Sequence, residues 1–578
     1  MKNNGRTYLA IVFSLLLVSS LLVIAEDGNA ADDDGYAIAA AYSSTDVTFA
    51  GGDGTDGDPY QIEDVTQLQA MQNNLSAHYV LTGNIDASVT ADWNDGGFKP
   101  IASIESIDPD DPDFDPHAEY IFQGSFDGDD HVISDLHIDR PNDDGVGLFG
   151  IVAEGASVGY VGLEDVKVSG GSVVGSLAAV SQGTVQNSYA TGELYGDSAV
   201  GGLIGVDSGV IENCSAAVDV AAATSAGGLV GMNEGDVTDC YATGDVEGEV
   251  SVGGLIGIHG SGDIVRSHAK GDVSGDMLVG GLMGMSNGTV SQSYAIGDVT
   301  IEDYMITAAG GLIAASDGQV NDSYATGNVV YEEWDGDDIN AAALGGLLGI
   351  NDGTVYDSYS VGSVSGEAKY NFLGGLVGLN ESFEIMEHEV FEDVNGEVHN
   401  SFWNTETSGM ADSAGGEGKN TAAMKTQSTF EDTGWDFENT WELHDIFNHG
   451  HPHLQWQFDE NNDALVVGSV EDDGGDPVPS AAILVNGMKV GATNHDGEYF
   501  FVIDDGEHHI EAVKDGYESQ TTAINAQSGD TAEAETMTVE AEEDPAPEED
   551  EEDGICFGIL PFAALALILL PFMVSRRR

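Results

Sequence analysis

The sequence predicts an all-β fold: a parallel β-solenoid (β-helix), then a small antiparallel β-sandwich and one C-terminal transmembrane helix. Three observations carry this. A glycine-punctuated unit of about 26 residues recurs nine times, a later stretch alternates apolar and polar residues, and an apolar run of 20 residues precedes a terminal Arg-Arg-Arg.

The repeat is anchored by Leu148, Leu177, Leu203, Leu229, Leu255, Leu282, Leu312, Leu347 and Leu376, at spacings of 29, 26, 26, 26, 27, 30, 35 and 29. A double glycine precedes most of these leucines, as in Gly227-Gly228-Leu229-Val230-Gly231. Behind them run an aliphatic column (Val185, Ile211, Val237, Ile264, Val290, Val320, Val355) and a small-residue column (Ser188, Cys214, Cys240, Ser267, Ser293, Ser323, Ser358). A mostly aromatic column follows (Tyr189, Tyr241, His268, Tyr294, Tyr324, Tyr359), then alanines such as Ala190, Ala242 and Ala295, and a closing glycine such as Gly244 or Gly271. The stretches between glycines are too short for helices of about ten residues. One copy cannot bury its apolar side, whereas stacked copies can. Coils about 4.8 Å apart would turn each column into a ladder, with leucine and valine inside. Strict alternation cannot put the aliphatic residue, the small residue and the aromatic all inside, so the chain bends between them. The double glycine permits a sharp turn or a close backbone approach.

Residues 141–400, with their nine copies, resemble the GLUG-repeat family of bacterial and archaeal surface proteins and some secreted immunoglobulin proteases. The likeness extends over about Val47 to Trp456. It takes in an N-terminal part of the solenoid at 45–140, with Leu81-Thr82-Gly83-Asn84-Ile85-Asp86 and Phe122-Gln123-Gly124-Ser125-Phe126-Asp127-Gly128, and a C-terminal cap at 401–460, with Ser401-Phe402-Trp403-Asn404 and Leu454-Gln455-Trp456. The resemblance implies a β-solenoid at the cell surface, often in adhesin-like proteins, and no reaction.

Residues 464–540 read as the sandwich: Ile483 and Val485 alternate, as do Tyr499, Phe501 and Ile503, with Asp496-Gly497 as a turn. This unit resembles the carboxypeptidase regulatory-like family, whose members fold like transthyretin and serve as spacers or binding modules. The linker at 541–554 is dominated by Asp and Glu, with Pro545 and Pro547, and self-repulsion should keep it extended. Ile555 to Val574 is long enough to cross a bilayer core of about 30 Å, and Arg576, Arg577 and Arg578 in the tail at 575–578 place the C-terminus in the cytoplasm. Lys2 and Arg6 before the apolar run from Leu9 to Ile24 make residues 1–30 a signal peptide, cut after Ala25 or Ala30. The C-terminal layout resembles archaeal sorting tails, but Gly554-Ile555-Cys556-Phe557-Gly558 stands where those carry Pro-Gly-Phe, so the helix is expected to be retained, with Cys556 in the membrane interface.

The chain carries 102 acidic residues against 15 Lys plus Arg, a net charge of −87, yet 41% of it is apolar. It can therefore bury a core, provided its self-repulsion is screened. At molar salt the Debye length falls to about 3 Å, so a halophilic, archaeal source is expected. The charge excludes nucleic acid as a partner.

Several clusters invite chemistry. Cys214 and Cys240 occupy one column in successive coils, close enough either for a disulfide or for a ladder of small buried residues. His449, His451 and His453, with His444 nearby, are either metal ligands or replacements for aromatics before Leu454-Gln455-Trp456. His388-Glu389-Val390-Phe391-Glu392 lacks the second histidine of a zinc-protease helix. Asp108, Asp110, Asp111, Asp113 and Asp115 crowd one insertion without calcium-loop spacing, which favours a solvated cluster. Asn74, Asn213, Asn287, Asn321 and Asn380 head acceptor triplets for N-glycosylation. No Gly-x-Ser-x-Gly turn or phosphate loop is present. No catalytic, cofactor-binding or metal-binding residue is therefore assigned, and no cofactor is expected. The expected function is a cell-surface adhesin-like or envelope structural protein, not an enzyme. Its expected partners are extracellular glycans, surface-layer or other envelope proteins, and its own membrane through the C-terminal helix. The alternative is a polysaccharide-active enzyme on a β-helix scaffold.

Overall fold

The computed structural model describes residues 47–94, 96–103, 120–302, 306–331, 341–368, 370–380, 396–458, 463–479, 481–486, 488–493, 497–503, 505–514 and 516–540. The expected signal peptide, acidic linker, transmembrane helix and arginine tail lie outside them, as do Cys556 and the insertions holding Asp108–Asp115 and His388–Glu392. Among the described residues no helix is long and apolar enough to cross a membrane.

The chain is all-β, and one coil shows how it is built. After Leu255 come strands Ile256–His259, Asp263–Val265, His268–Ala269, Val273–Gly275 and Leu278–Gly280. Each pairs in parallel with its counterpart one coil on: Ile256 with Met283, Ile264 with Val290, His268 with Tyr294, Val273 with Val299 and Leu278 with Ala308. The strands that follow the nine anchoring leucines, from Phe149–Val152 to Val377–Leu379, form a nine-stranded sheet in chain order. The other strands of the coils form a second continuous sheet. Leucine and aliphatic columns fill the interior, and all the anchoring leucines are fully buried. The alanine column faces the double glycines. A Cβ on Gly228 would come within 2.2 Å of the Gly254 carbonyl oxygen and 2.8 Å of the Ala242 Cβ, so the two walls meet there with no room for a side chain.

The required bend sits one residue before the small-residue column. Asn187, Asn213, Asp239, Arg266, Gln292, Asp322, Asp357 and Asn400 all adopt left-handed φ values of 46° to 55°. Asn and Asp tolerate this region best, which accounts for six of these corners but not for Arg266 and Gln292. The turn resets the alternation: Val290 and Ser293 point inward, whereas the tyrosine column lies on the outside of the coil.

The corner takes the backbone N–H of the small residue out of the strand ladder, and the next coil supplies its acceptor. Ser293 N–H donates to Ser323 Oγ at 3.2 Å, Ser323 N–H to Ser358 Oγ at 3.1 Å, and Ser358 N–H to Ser401 Oγ at 3.1 Å. Each hydroxyl in turn donates to the carbonyl two residues back, as Ser323 does to Asn321 at 2.7 Å. Cys214 and Cys240 continue this ladder as free thiols: Cys214 N–H donates to Cys240 Sγ at 3.3 Å, and that thiol donates to the Thr238 carbonyl at 3.2 Å. Burial holds the Cys240 thiol well above its ordinary pKa, which keeps the proton this bond needs. Ser323→Ala would leave the buried Ser293 N–H unpaired. A loss of about 1–3 kcal/mol is expected, with Ser323→Cys losing much less; equal denaturation midpoints for wild type and Ser323→Ala in molar salt would contradict the ladder's role.

Before the repeats, Tyr60–Ile62, His78–Leu81 and Ser125–Ser134 pair in parallel and carry the solenoid toward the N-terminus. The short helix Val65–Ala70 buries Val65 and Leu68, spaced to share one face, and Asp64 caps it by accepting from the Gln67 N–H at 2.8 Å. At the other end, residues 464–540 form two packed four-stranded sheets around Val466, Ile483, Tyr499, Phe501 and Ile510. The other strand pairings are antiparallel, as expected, but Thr531–Glu533 and Met537–Val539 both run parallel to Ala464–Asp472. Thr531–Glu533 enters by crossing over from the other sheet, which does not impose the antiparallel direction that a hairpin does, and Met537–Val539 continues in the same direction along Ala464–Asp472.

Candidate binding surfaces

Two outward-facing ladders distinguish the surface. The first is aromatic. Because the tyrosine column recurs once per coil, its rings stack: Tyr241 on His268 at 5.1 Å, His268 on Tyr294 at 4.6 Å, Tyr294 on Tyr324 at 5.1 Å and Tyr324 on Tyr359 at 5.1 Å, with interplanar angles of 11° or less. The C-terminal segment covers most of it. Phe402–Asn404 and Glu417–Lys419 add parallel strands at the end of the stack, after which the chain turns back along the ladder. Trp435 and Trp441 lie against Tyr359, and Trp456 against Tyr294 and His268. Each indole N–H donates to a left-handed corner residue: Trp435 to the Asn400 carbonyl at 2.7 Å, Trp441 to Asp322 Oδ1 at 2.9 Å and Trp456 to the Gln292 carbonyl at 3.2 Å. Gln457 Nε2 donates to the Tyr324 hydroxyl, and Asn448 Nδ2 to that of Tyr359. Tyr241, the rung beyond Trp456, stays 42% exposed.

The histidines belong to this cap. His453 is fully buried, its ring 4.7 Å from Phe447, with no hydrogen bond to either nitrogen among the described residues and Glu442 at 4.0 Å. His451 is buried with Nδ1 3.2 Å from the Asn448 carbonyl. Burial, aided by nearby Lys425 at His451 and His444 at His453, pulls both imidazoles down to about 3. His453 packs among aromatic rings, and among the described residues no three His, Cys, Asp or Glu side chains converge as metal ligands.

The second ladder is acidic. Asp219, Asp245, Asp272 and Asp298 repeat one residue after the closing-glycine position, and each accepts the backbone N–H of its successor column residue, at 3.1, 2.8, 2.9 and 2.8 Å. Carboxylates fit here because the coil turns and leaves those N–H groups without a strand partner. Lys489, from the sandwich, reaches Asp245 Oδ1 at 3.0 Å and Asp272 Oδ2 at 2.9 Å. Burial opposes its charge, but the two carboxylates together hold it above the ordinary lysine value. Beside this ladder runs a groove of about 370 Å³ along several coils, lined by Tyr195, Asp219, Ala221, Asp245, Glu247, Asp272, Ser274 and Thr300. Tyr195 is 52% exposed at one end. Burial raises the Asp219 carboxyl against the hydrogen bond from the Asp245 N–H; the charges of Asp245 and Glu193 add to the rise, and Lys489 opposes it. An aromatic face beside carboxylates and hydroxyls suits a ligand rich in hydroxyl donors and repels anions. The sequence carries a sign of this ladder, the acid after the closing glycine in Gly244-Asp245, Gly271-Asp272 and Gly297-Asp298, but in so acidic a chain it does not stand out.

The fold and its ladders thus define a parallel β-solenoid protein with repeating outward-facing columns. The GLUG motif matches residues 222–247, which amount to one coil. The chain is 40% identical over 170 residues to halomucin of Haloquadratum walsbyi, covering 28% of this chain and 2% of that protein. It is 34% identical over 158 residues to a Gly-rich membrane protein candidate of Evansella cellulosilytica, covering 26% of this chain and 17% of that protein. It thus spans only a small part of either relative. Among solved structures it resembles an immunoglobulin A1 protease candidate from Bacteroides ovatus at 19% identity and a TM-score of 0.29, over 71% of this chain and 96% of that one.

Proposed function

We propose that this chain is a cell-surface, adhesin-like or envelope structural protein that binds glycans or envelope proteins outside the cell without reacting with them. The groove beside the acidic ladder carries the reading: it runs along the coils, offers the exposed Tyr195 ring, and surrounds it with hydrogen-bonding groups. The match to the GLUG motif and the relatives named as a halomucin and a membrane protein support the surface setting. In this reading the sandwich, which resembles carboxypeptidase regulatory-like domains, is a spacer, and residues 555–574 hold the protein in its own membrane with the body outside.

The test is a binding screen of the purified protein in molar salt against glycan arrays and envelope material. Tyr195→Ala should weaken binding about tenfold, the value of one stacking contact. A protein that binds neither class of target refutes the proposal. A second reading, a polysaccharide-active enzyme, draws on the raised Asp219 carboxyl beside Asp245 and Glu193, since glycosidases use carboxylate pairs. Release of reducing sugars from a polysaccharide panel, abolished by Asp219→Asn, would establish that reading instead.

A further inference from the structure

We infer that Asn74 is an N-glycosylation site, and that the acceptor triplets at Asn213, Asn287, Asn321 and Asn380 are not used in the folded protein. The reaction needs an accessible carboxamide nitrogen and an accessible hydroxyl two residues on. The nitrogen forms a bond to the anomeric carbon of a lipid-phosphate-linked oligosaccharide. The bond from that carbon to the phosphate oxygen breaks, the lipid phosphate leaves with the electron pair, and one amide proton passes to a base of the transferase.

Among the described residues, Asn74 and Ser76 are the one asparagine and hydroxyl pair of these triplets in which both are exposed. Asn74 follows the single turn Met71–Asn73 and precedes the strand His78–Leu81, so it lies in irregular backbone. Its main chain is pinned: its N–H donates to the Met71 carbonyl at 3.1 Å, and its carbonyl accepts the Tyr79 hydroxyl at 2.7 Å and the Ala77 N–H at 3.2 Å. Its side chain is exposed and makes no hydrogen bond among the described residues, and Ser76 is exposed as well.

The other four are closed in different ways. Asn213 occupies a left-handed corner, where its Nδ2 is committed to Asn187 Oδ1 at 2.5 Å and Ser215 is half-buried in a strand. Asn287 and Thr289 are both partly buried, and the Asn287 Oδ1 is shut away from solvent. Asn321 sits in the strand Gln319–Asn321, and the hydroxyl its triplet needs is that of Ser323, fully buried and donated to the Asn321 carbonyl. Asn380 donates through Nδ2 to the Gly396 carbonyl at 2.7 Å and accepts at Oδ1 from Asn351 Nδ2 at 2.7 Å. The coil geometry that stacks these residues takes their side chains into the ladder, whereas Asn74 stands outside any column.

The test is mass spectrometry of the full chain, produced in a host that glycosylates exported proteins, with a known glycoprotein from the same cells as control. The peptide containing Asn74 should carry a glycan mass, and those containing Asn213, Asn287, Asn321 and Asn380 should be unmodified. Asn74→Gln and Ser76→Ala should each abolish the glycan, and Ser76→Thr should retain it. An unmodified Asn74 peptide beside a glycosylated control overturns the inference, as does a glycan on any of the four ladder sites.

Discussion

Acidification from about pH 6.5 to 3 is expected to detach the cap from the tyrosine ladder before the coils separate. His451 and His453 are folded as neutral rings with values near 3, against an ordinary 6.5. A base whose folded pKa is depressed contributes stability that is present above the unfolded value and is lost as pH falls toward the folded one. Each ring is therefore worth up to about 5 kcal/mol by pH 3, a large share of the roughly 5–15 kcal/mol that holds a domain. His268, under Trp456, adds to the loss, because burial and then Lys270 hold it well below the ordinary range. Glu442 at 4.0 Å offers His453 some compensation, but it is half-exposed and screened in salt. The coils behave differently. His259 inside them, lowered by burial to about 4, also loses stability on acidification, but Asp207, raised by burial to about 7, acts in the opposite sense. Asp207 destabilises the fold when pH rises from 3.8 to 7, so acid restores what neutrality removes, and protonating the surface carboxylates relieves repulsion as well. Trp435, Trp441 and Trp456 report on the cap directly. Their fluorescence should change at a higher pH than the β-sheet circular dichroism, and His453→Phe should move the first transition to lower pH. A single coincident transition, or one unmoved by His453→Phe, would show that the cap is not held by these rings.

The repeat and its period were legible because stacking converts a column in space into a period in sequence. Leu203, Leu229 and Leu255 must be alike because they touch. The Cys214 and Cys240 column was legible for the same reason, and its serines explain why a thiol pair there remains unbonded: the column's task is to accept one N–H per coil. The bend was legible only as a necessity. Most of its residues are Asn or Asp, but Arg266 and Gln292 interrupt the column, and in a chain so rich in Asp the remainder does not stand out. The tyrosines illustrate the other limit. Aromatic residues at a fixed period look like core, and they are core, but of a second interface built when residues 421–456 fold back over four coils. No local pattern announces a contact such as Trp441 to Asp322, which spans 119 residues. The groove is harder to see for a related reason, since its lining residues come from different coils and only the acid after the closing glycine, as at Asp245 and Asp272, marks any of them in the sequence.

Replacing Gly253 by alanine should cost more than about 3 kcal/mol, whereas Gly257→Ala, four residues away in the same coil, should cost far less. Both glycines are buried, and a Cβ at either meets backbone: at Gly253 the Ile256 carbonyl oxygen at 2.1 Å and the Met283 Cα at 2.7 Å, at Gly257 the Gly231 carbonyl oxygen at 2.7 Å. The repeat itself indicates which of these the fold can relieve. At the Gly257 position other coils carry Ala179 and Ala314, both fully buried, and at the Gly254 position one coil carries Ser176, whose hydroxyl donates to the Gly202 carbonyl. At the Gly253 position every coil from Gly175 to Gly374 keeps glycine. The difference follows from what would have to move. A Cβ at Gly253 strikes the carbonyl of its own coil at the tight turn around Leu255 and the backbone of the following coil at once, so no single displacement clears both. Relief means parting the pair Ile256 and Met283 in the nine-stranded sheet, and with it the stacking of every ladder across that step. Denaturation in molar salt measures both costs, and hydrogen exchange should show the Gly253→Ala damage centred on the coils that contain Leu255 and Leu282. Equal effects of the two substitutions would mean that coil spacing is more compliant than the invariant glycine implies.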